Sequence, residues 1–169
     1  SLRLVGSEMC IRDRFLVWTT TPWCIPGNLA IAVGKEIEYS RISIKNNFYW
    51  IATDRLFEMK DHEIEIVDVS YGKDLIGASY IPAYNEYEHL FKEGAFRIIH
   101  SDDTNTESGS GLVSQAPAYG ESDFYALKNA NIDVIADPVT LSGRFDSTFK
   151  ELNGLNAVSY THLTLPTTR

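Results

Sequence analysis

Three consecutive threonines, Thr19, Thr20 and Thr21, stand between two tryptophans in the segment WTTTPWCIPGN (18–28). Threonine suits a strand because its branched side chain packs well on a pleated surface. Alternate residues of a strand share one face, so two of the three hydroxyls would point the same way. Such a pair, beside the side-chain amide of Asn28 and a proline-stiffened backbone, could hold ligand oxygens and a water molecule.

A second segment, GSGLVSQAPAYGESDF (109–124), joins a glycine-rich turn, a predicted strand, a proline–glycine loop and acids at a predicted helix start. Its first two glycines permit a close approach of the backbone. Polar and acidic side chains are favoured at a helix N-terminus, so capping accounts for Glu121 or Ser122, but it need not occupy all of Glu121, Ser122 and Asp123. Ser114 has no base identifiable in the sequence, which argues against a serine nucleophile.

The histidines and cysteines predict no metal site. His62, His89 and His100 are scattered, and the acids around His62 are typical of a solvated strand start. Cys10 and Cys24 are too few for a disulfide framework or a zinc site. We therefore expect no metal, and a reducing, cytoplasmic location.

Composition sets the class of protein. The 169 residues are 44% apolar, which is enough for one globular domain with a core. No run approaches the roughly 18 to 20 apolar residues of a membrane-spanning helix, so no membrane partner is expected. A net charge of −8 argues against gripping a long duplex such as DNA, because that requires many phosphate contacts. The negative charge does not exclude a site that binds only the end of a nucleic acid.

The elements that must position these segments follow from periodicity and turn residues. Strands are predicted at 15–21, 29–33, 38–44, 48–53, 63–71, 96–100, 112–116 and 133–139, and helices at 54–60 and 121–132. A hairpin turn is predicted at Asn46 and Asn47, and a loop at 72–84. Together they predict one β-rich α+β domain with a barrel-like arrangement.

The two ends differ from the rest of the chain. Residues 1–14 and 157–169 have no usable periodicity and resemble translated sequencing-adapter strings. We expect both to be non-native tails flanking a domain at 15–156.

Together the two segments resemble the editing domain of isoleucyl-tRNA synthetase, the connective-peptide insertion of a class I aminoacyl-tRNA synthetase. VWTTTPWCIPGN matches the family's VWTTTPWTxPxN except at Cys24, and GSGLVSQAPAYGESDF is similar to GTGxVHxAPxxGxxD[YF]. Between them, GKDLIGASYIP (72–82) resembles GKDLxGxxYxP. The related valyl and leucyl enzymes carry TTRP instead of TTTPW, which favours the isoleucyl family.

The resemblance implies hydrolysis of valine wrongly attached to isoleucine tRNA, so it implies an aminoacyl-tRNA deacylase. It implies catalytic roles for Thr19, Thr20, Thr21 and Asn28, with Asp123 binding the α-ammonium group of the substrate. It further implies a substrate-binding surface made of Trp18, Trp23, Ser114, Gln115, Ala116 and Pro117. The implied partners are the 3′ acceptor end of tRNA(Ile) carrying valine and the remainder of the synthetase chain.

Two departures from the family pattern bear on this function. Ser114 stands where the family usually has a histidine associated with excluding isoleucine, so the pocket would discriminate less sharply. The ATP-binding motifs of the synthetase are also absent, so ATP and Mg²⁺ are expected only in a missing synthetic domain and no cofactor is expected for editing. The alternative is an insertion that binds tRNA or serves a structural role and has lost proofreading.

Overall fold

A computed structural model describes residues 13–160. The strands are β1 (Asp13–Phe15), β2 (Ala30–Val33), β3 (Glu38–Ile44), β4 (Asn47–Ala52), β5 (Glu65–Tyr71), β6 (Arg97–His100) and β7 (Val113–Gln115). The α-helices are α1 (Gly72–Leu75), α2 (Glu121–Asn129) and α3 (Ala157–Tyr160). Short 3₁₀ helices span Pro22–Gly27, Thr53–Met59 and Glu88–Glu93.

The strands form two sheets. The first has the order β1-β4-β3-β5, in which β1 runs parallel to β4 and the remaining pairs are antiparallel. The second has the order β6-β2-β7, with β6 parallel and β7 antiparallel to β2. The β-rich α+β class is confirmed, and the two sheets remain separate rather than closing into one barrel.

The central strand of the second sheet, β2, is buried on both faces, which explains its continuous apolar sequence. Ala30 and Ala32 pack with the α2 residue Leu127. Ile31 and Val33 face the other way, into a cluster with Trp50 of the first sheet and Leu112. The two clusters therefore fix α2 and the residue that precedes β7 relative to β2.

The expected strand at 15–21 is wrong beyond Phe15. The chain after β1 crosses between the sheets instead, because the amide of Leu16 donates to the Trp50 carbonyl (3.1 Å) and that of Trp18 to the Leu112 carbonyl (3.2 Å). Pro22 then starts a 3₁₀ helix, since its fixed φ suits a first helical position. The threonines consequently lie in an irregular connection.

Three smaller predictions also change. The hairpin turn is made by Lys45 and Asn46, which both have positive φ as a two-residue turn requires, and Asn47 already belongs to β4. The predicted loop at 72–84 begins with the single turn of α1. The predicted strand at 133–139 makes only one isolated bridge among the described residues, between Val139 and Phe145, and the Val139 amide donates to the Asp137 carboxylate (3.4 Å).

Some residues of the predicted tails, 1–14 and 157–169, are packed against the domain. Asp13 and Arg14, assigned above to the N-terminal tail, lie in β1, where the Asp13 carboxylate accepts two 2.8 Å bonds from the buried guanidinium of Arg41. Ala157, assigned to the C-terminal tail, is 4% exposed and packs on Phe145. Whether either end is native stays a prediction. No helix within 13–160 is long and apolar enough to cross a membrane.

The glycine-rich turn before β7 gives the sharpest steric constraint. Gly111 has φ +75°, and a Cβ placed there would lie 2.4 Å from the Cβ of Ala52. Tyr39 fixes the same turn, since its hydroxyl donates to the Gly111 carbonyl (2.7 Å). This position therefore requires glycine for both its backbone conformation and its packing.

Gly111→Ala should lower the free energy of unfolding by about 2–4 kcal/mol, because left-handed backbone and overpacking add. Gly143→Ala is the matched control, since Gly143 has φ +73° but nothing within 4 Å of the added methyl group. It should cost only about 1 kcal/mol. Urea unfolding of both variants measures the difference, and equal losses would show that the contact with Ala52 is unimportant.

Candidate editing site

The threonine hydroxyls are arranged by a local turn. Thr19 Oγ1 accepts the backbone amide of Thr21 (3.1 Å) and lies 3.4 Å from Thr21 Oγ1. Thr20, between them, is exposed. The expected shared face of Thr19 and Thr21 is therefore present, but a hydrogen-bonded turn produces it instead of a strand.

Cys24, in the Pro22–Gly27 3₁₀ helix, supports this hydroxyl pair. Its thiol donates to Thr21 Oγ1 at 3.2 Å. Burial raises the pKa of the Cys24 thiol, and the nearby Asp123 carboxylate raises it further. The thiol therefore remains protonated and keeps donating to Thr21.

The glycine-rich turn lies directly against Trp18. Gly109 has φ +68°, and a Cβ on it would meet the Trp18 ring at 2.6 Å. Trp18 forms a parallel bridge with Val113, while its ring stays 55% exposed. The threonine turn and β7 thus begin side by side.

Asn28 connects the end of the first segment to the second. Its Nδ2 donates to the Ser114 hydroxyl (2.8 Å) and to the Ala30 carbonyl (2.7 Å). Its Oδ1 accepts from the hydroxyl of Tyr80. These contacts hold Ser114, on β7, beside the entry to β2.

Asp123 sits in the first turn of α2. Its Oδ2 accepts the backbone amide of Ala116 (2.8 Å), and a Cβ on Gly120 would come within 3.0–3.2 Å of the carboxylate. Burial raises the pKa of Asp123, partly offset by the Ala116 amide. The carboxylate therefore anchors the preceding loop as well as offering charge.

Aromatic packing brings the two segments together at a second point. Trp23 meets Tyr119 edge-on, with ring centroids 4.9 Å apart. Tyr119 is itself held by a 3.0 Å bond from its hydroxyl to Asp137. Cys24, which follows Trp23, donates its thiol hydrogen to Thr21, and the Asp123 charge adds to the burial that raises its pKa.

Comparison with known proteins gives the same assignment as the two segments. Over 141 residues the chain is 40% identical to an isoleucine–tRNA ligase of Bdellovibrio bacteriovorus, matching 77% of this chain and 13% of that protein. It is 39% identical over 145 residues to that of Protochlamydia amoebophila (83% and 14%), and 33% over 162 residues to the cytoplasmic enzyme of Saccharomyces cerevisiae (90% and 15%). The chain thus spans only 13–15% of the length of these curated relatives. No protein-family model matches it.

Solved structures with a similar fold are synthetase editing domains. The editing domain of the P. falciparum cytosolic leucyl-tRNA synthetase matches with a TM-score of 0.54 at 14% identity, over 68% of this chain and 45% of that one. GlLeuRS-CP1 matches with a TM-score of 0.54 at 16% identity, over 68% and 44%. The chain is homologous to one segment of the isoleucine–tRNA ligases and has the fold of a synthetase editing domain.

Within this editing domain, the predicted site residues separate into two groups. The side chains that are exposed or half-buried are Trp18, Thr19, Thr20, Thr21, Trp23, Asn28, Ser114 and Asp123. The other three, Gln115, Ala116 and Pro117, are buried. The structure therefore places these three behind Ser114, where they support β7 and the loop that follows it.

Sequence reasoning missed Tyr80 and Tyr119 as contacts of this site. Tyr80 lies in GKDLIGASYIP, a segment singled out for its resemblance alone, and Tyr119 lies in the proline–glycine loop. An aromatic hydroxyl carries no spacing signal for a partner 52 residues away, which is the separation of Tyr80 from Asn28.

A groove of about 570 Å³ runs along α2. Lys35, Arg97, His100, Ser122 and Tyr125 contribute to its lining, but the threonines, Asn28, Ser114 and Asp123 do not. Within residues 13–160, no three His, Cys, Asp or Glu side chains are grouped so that they could hold a metal ion.

The raised pKa of Asp123 predicts a specific pH dependence of stability. The folded chain holds this proton more tightly than the unfolded chain, so ionisation lowers the free energy of unfolding as the pH rises from 3.8 through the raised pKa. Asp123→Asn keeps an acceptor for the Ala116 amide and removes the titration. Wild type should therefore lose stability relative to Asp123→Asn over this range in urea unfolding.

Asp123→Ala is the control, because it also removes the acceptor. It should be less stable than Asp123→Asn at every pH, by about 1–2 kcal/mol. Parallel pH profiles for wild type and Asp123→Asn would contradict the burial of this carboxylate.

Proposed function

We propose that this chain is an aminoacyl-tRNA deacylase module that hydrolyses valyl-tRNA(Ile) during post-transfer editing. The observation that carries the proposal is the junction between the two segments, where Asn28 binds Ser114 and Trp18 pairs with Val113. The hydroxyls of the threonine turn and of Ser114, together with the Asp123 carboxylate, are groups that suit an amino acid ester. Homology to the isoleucine–tRNA ligases supplies the substrate class.

The chemical need for editing comes from the similarity of the two amino acids. One methylene in an apolar pocket is worth only about 1–3 kcal/mol, and the resulting discrimination of about 150-fold is an established value for this enzyme family. A second site that hydrolyses the smaller product corrects the remaining errors.

The residues suggest a division of roles on the substrate. The Asp123 carboxylate pairs with the α-ammonium group of valine through a charge-assisted bond. Thr19 and Thr21 donate to the terminal ribose or to the ester oxygen, where negative charge develops as water attacks the carbonyl carbon. The bond from that carbon to the ribose oxygen then breaks, and the ribose hydroxyl regains a proton.

No side chain of the segments is an evident general base. We propose that an ordered water and a free ribose hydroxyl of the substrate supply the proton transfers, so that the protein contributes chiefly positioning. Editing then needs no cofactor, whereas ATP and Mg²⁺ serve only the synthetic part of a complete ligase.

The proposed partners are the 3′ acceptor end of tRNA(Ile) and the remainder of a synthetase chain. The net charge of −8 provides little electrostatic attraction for tRNA. The chain alone should therefore bind tRNA weakly, and the remaining synthetase should supply most of the affinity.

Release of valine from valyl-tRNA(Ile) tests the proposal directly. Residues 15–156 are placed in an intact isoleucyl-tRNA synthetase, and isoleucyl-tRNA(Ile) is the control substrate. We expect release of valine well above background, and a roughly 10–100-fold lower kcat/KM for Asp123→Asn, because a charge-assisted bond is lost.

Each other outcome of this assay has a defined meaning. No release of valine would refute the deacylase and favour an insertion that has lost proofreading, for which Ser114 in place of histidine is the motivation. Equal release of both amino acids would indicate a working site that fails to discriminate.

Ser114→His should sharpen discrimination. An imidazole fills space beside the site that the small serine leaves open, so hydrolysis of isoleucyl-tRNA(Ile) should fall more than that of valyl-tRNA(Ile). The ratio of the two kcat/KM values measures this change, with Ser114→Ala as the control that adds no bulk. A ratio that is unchanged by histidine would remove position 114 from specificity.

A further inference from the structure

Tyr80 carries a hydrogen bond that the proposed function does not use. Its hydroxyl donates to Asn28 Oδ1, and its ring packs edge-on against Phe96 with centroids 6.0 Å apart. Its backbone amide also donates to the Phe96 carbonyl (3.0 Å). Both the ring and the backbone of Tyr80 are therefore fixed where the hydroxyl meets Asn28.

The direction of the hydrogen bonds at Asn28 is set by a backbone group. The Ala30 carbonyl can only accept, so the atom of Asn28 that lies 2.7 Å from it must be the amide nitrogen. The remaining polar atom of the carboxamide is then Oδ1, which can only accept a hydrogen bond. Tyr80 must donate to it, consistent with burial raising the pKa of Tyr80 well above its ordinary value.

The orientation of the Asn28 carboxamide also determines which atom donates in its hydrogen bond with Ser114. The amide nitrogen has two hydrogens, and one of them is directed to Ala30 and the other to Ser114 Oγ (2.8 Å). The Ser114 oxygen is therefore an acceptor toward Asn28. Its own hydrogen finds no acceptor among the described residues and is left for a ligand.

We infer that Tyr80 is a positioning residue which holds the Asn28 carboxamide in place, so that the Ser114 oxygen accepts from Asn28 and its free hydrogen donates to an acceptor oxygen of the bound substrate. The inference deepens the proposed function and rests on it for the identity of that substrate, a valyl ester of the terminal adenosine. It assigns to Ser114 a polar contact in addition to its effect on the size of the site. The oxygen it selects is a carbonyl or ribose oxygen, since an ammonium group has no lone pair to accept with.

Exchange of the Asn28 side-chain amide tests the hydrogen bonds without any need for activity. In the full 169-residue chain, Tyr80→Phe should speed solvent exchange of both Asn28 amide hydrogens by about tenfold, because the carboxamide loses its fixed orientation. Ser114→Ala should speed exchange of only one of them. The two resonances of the Asn28 side-chain amide are identified as the pair that is missing from the spectrum of Asn28→Asp.

Tyr125→Phe is the matched control, since this tyrosine is on α2 with its ring 55% exposed. It removes the same hydroxyl without touching Asn28 and should leave both exchange rates unchanged. Ser114→Ala, which removes only a half-buried hydroxyl, keeps the test decisive if Tyr80→Phe does not fold.

Binding of a nonhydrolysable amide analogue, valine joined to the 3′-amino group of adenosine, tests the donated bond. Tyr80→Phe and Ser114→Ala should each weaken binding by about five- to tenfold. The double variant should bind no more weakly than Ser114→Ala, because Tyr80 acts only through Ser114.

Unchanged amide exchange in Tyr80→Phe would overturn the inference, as would additive losses of binding in the double variant. No binding of the analogue by the wild-type chain would also overturn it. If the exchange and binding patterns hold but valyl-tRNA(Ile) is not hydrolysed, the inference stands and the deacylase proposal alone fails.

Discussion

The carboxamide of Asn28 joins two parts of the chain that lie 86 residues apart, and the candidate site depends on that contact. One end of the side chain is tied to the Ala30 carbonyl of the central strand, and the other to Tyr80. Because a buried amide without partners is costly, each of these bonds constrains the others. The polar site is thus fixed directly to the most buried strand of the domain.

The surrounding packing makes this arrangement possible at close range. Gly109 lets the turn before β7 lie against the Trp18 ring, and Gly120 leaves space for the Asp123 carboxylate. Glycine is needed at Gly109, because its φ is positive and a side chain would overlap the Trp18 ring, whereas at Gly120 a side chain would crowd the Asp123 carboxylate. The close backbone approach that the sequence predicted for the first glycine of the second segment therefore occurs, between the turn before β7 and Trp18.

The sequence predicted the strands of the core better than the backbone of the site. Alternating and continuous apolar runs predicted β2 to β6 closely. Burial explains those patterns in β2, β3, β4 and β6, whereas β5 has the expected alternation although its residues are mostly exposed. The strand through the threonines was wrong because the apolar run of 15–18 bridges two sheets, and single bonds to Trp50 and Leu112 replace a ladder. Neither propensity nor periodicity describes such a crossing.

The candidate site residues were predicted from the family resemblance, whereas their contacts with one another depend on the fold. Thr19, Thr21, Asn28 and Asp123 were predicted, whereas Tyr80 was not, because its role depends on one long-range contact. Cys24 stands where the family pattern has threonine, and the structure shows that its thiol donates to Thr21.

A crystal structure of this chain with the valyl-amide analogue of adenosine would test the central claim most directly. The account predicts the valine ammonium group within 3.2 Å of an Asp123 oxygen, an approximate upper limit for such a bond, and its carbonyl or ribose oxygens at the Thr19, Thr21 and Ser114 hydroxyls. An analogue bound instead in the groove along α2, with the threonine turn unoccupied, would contradict it.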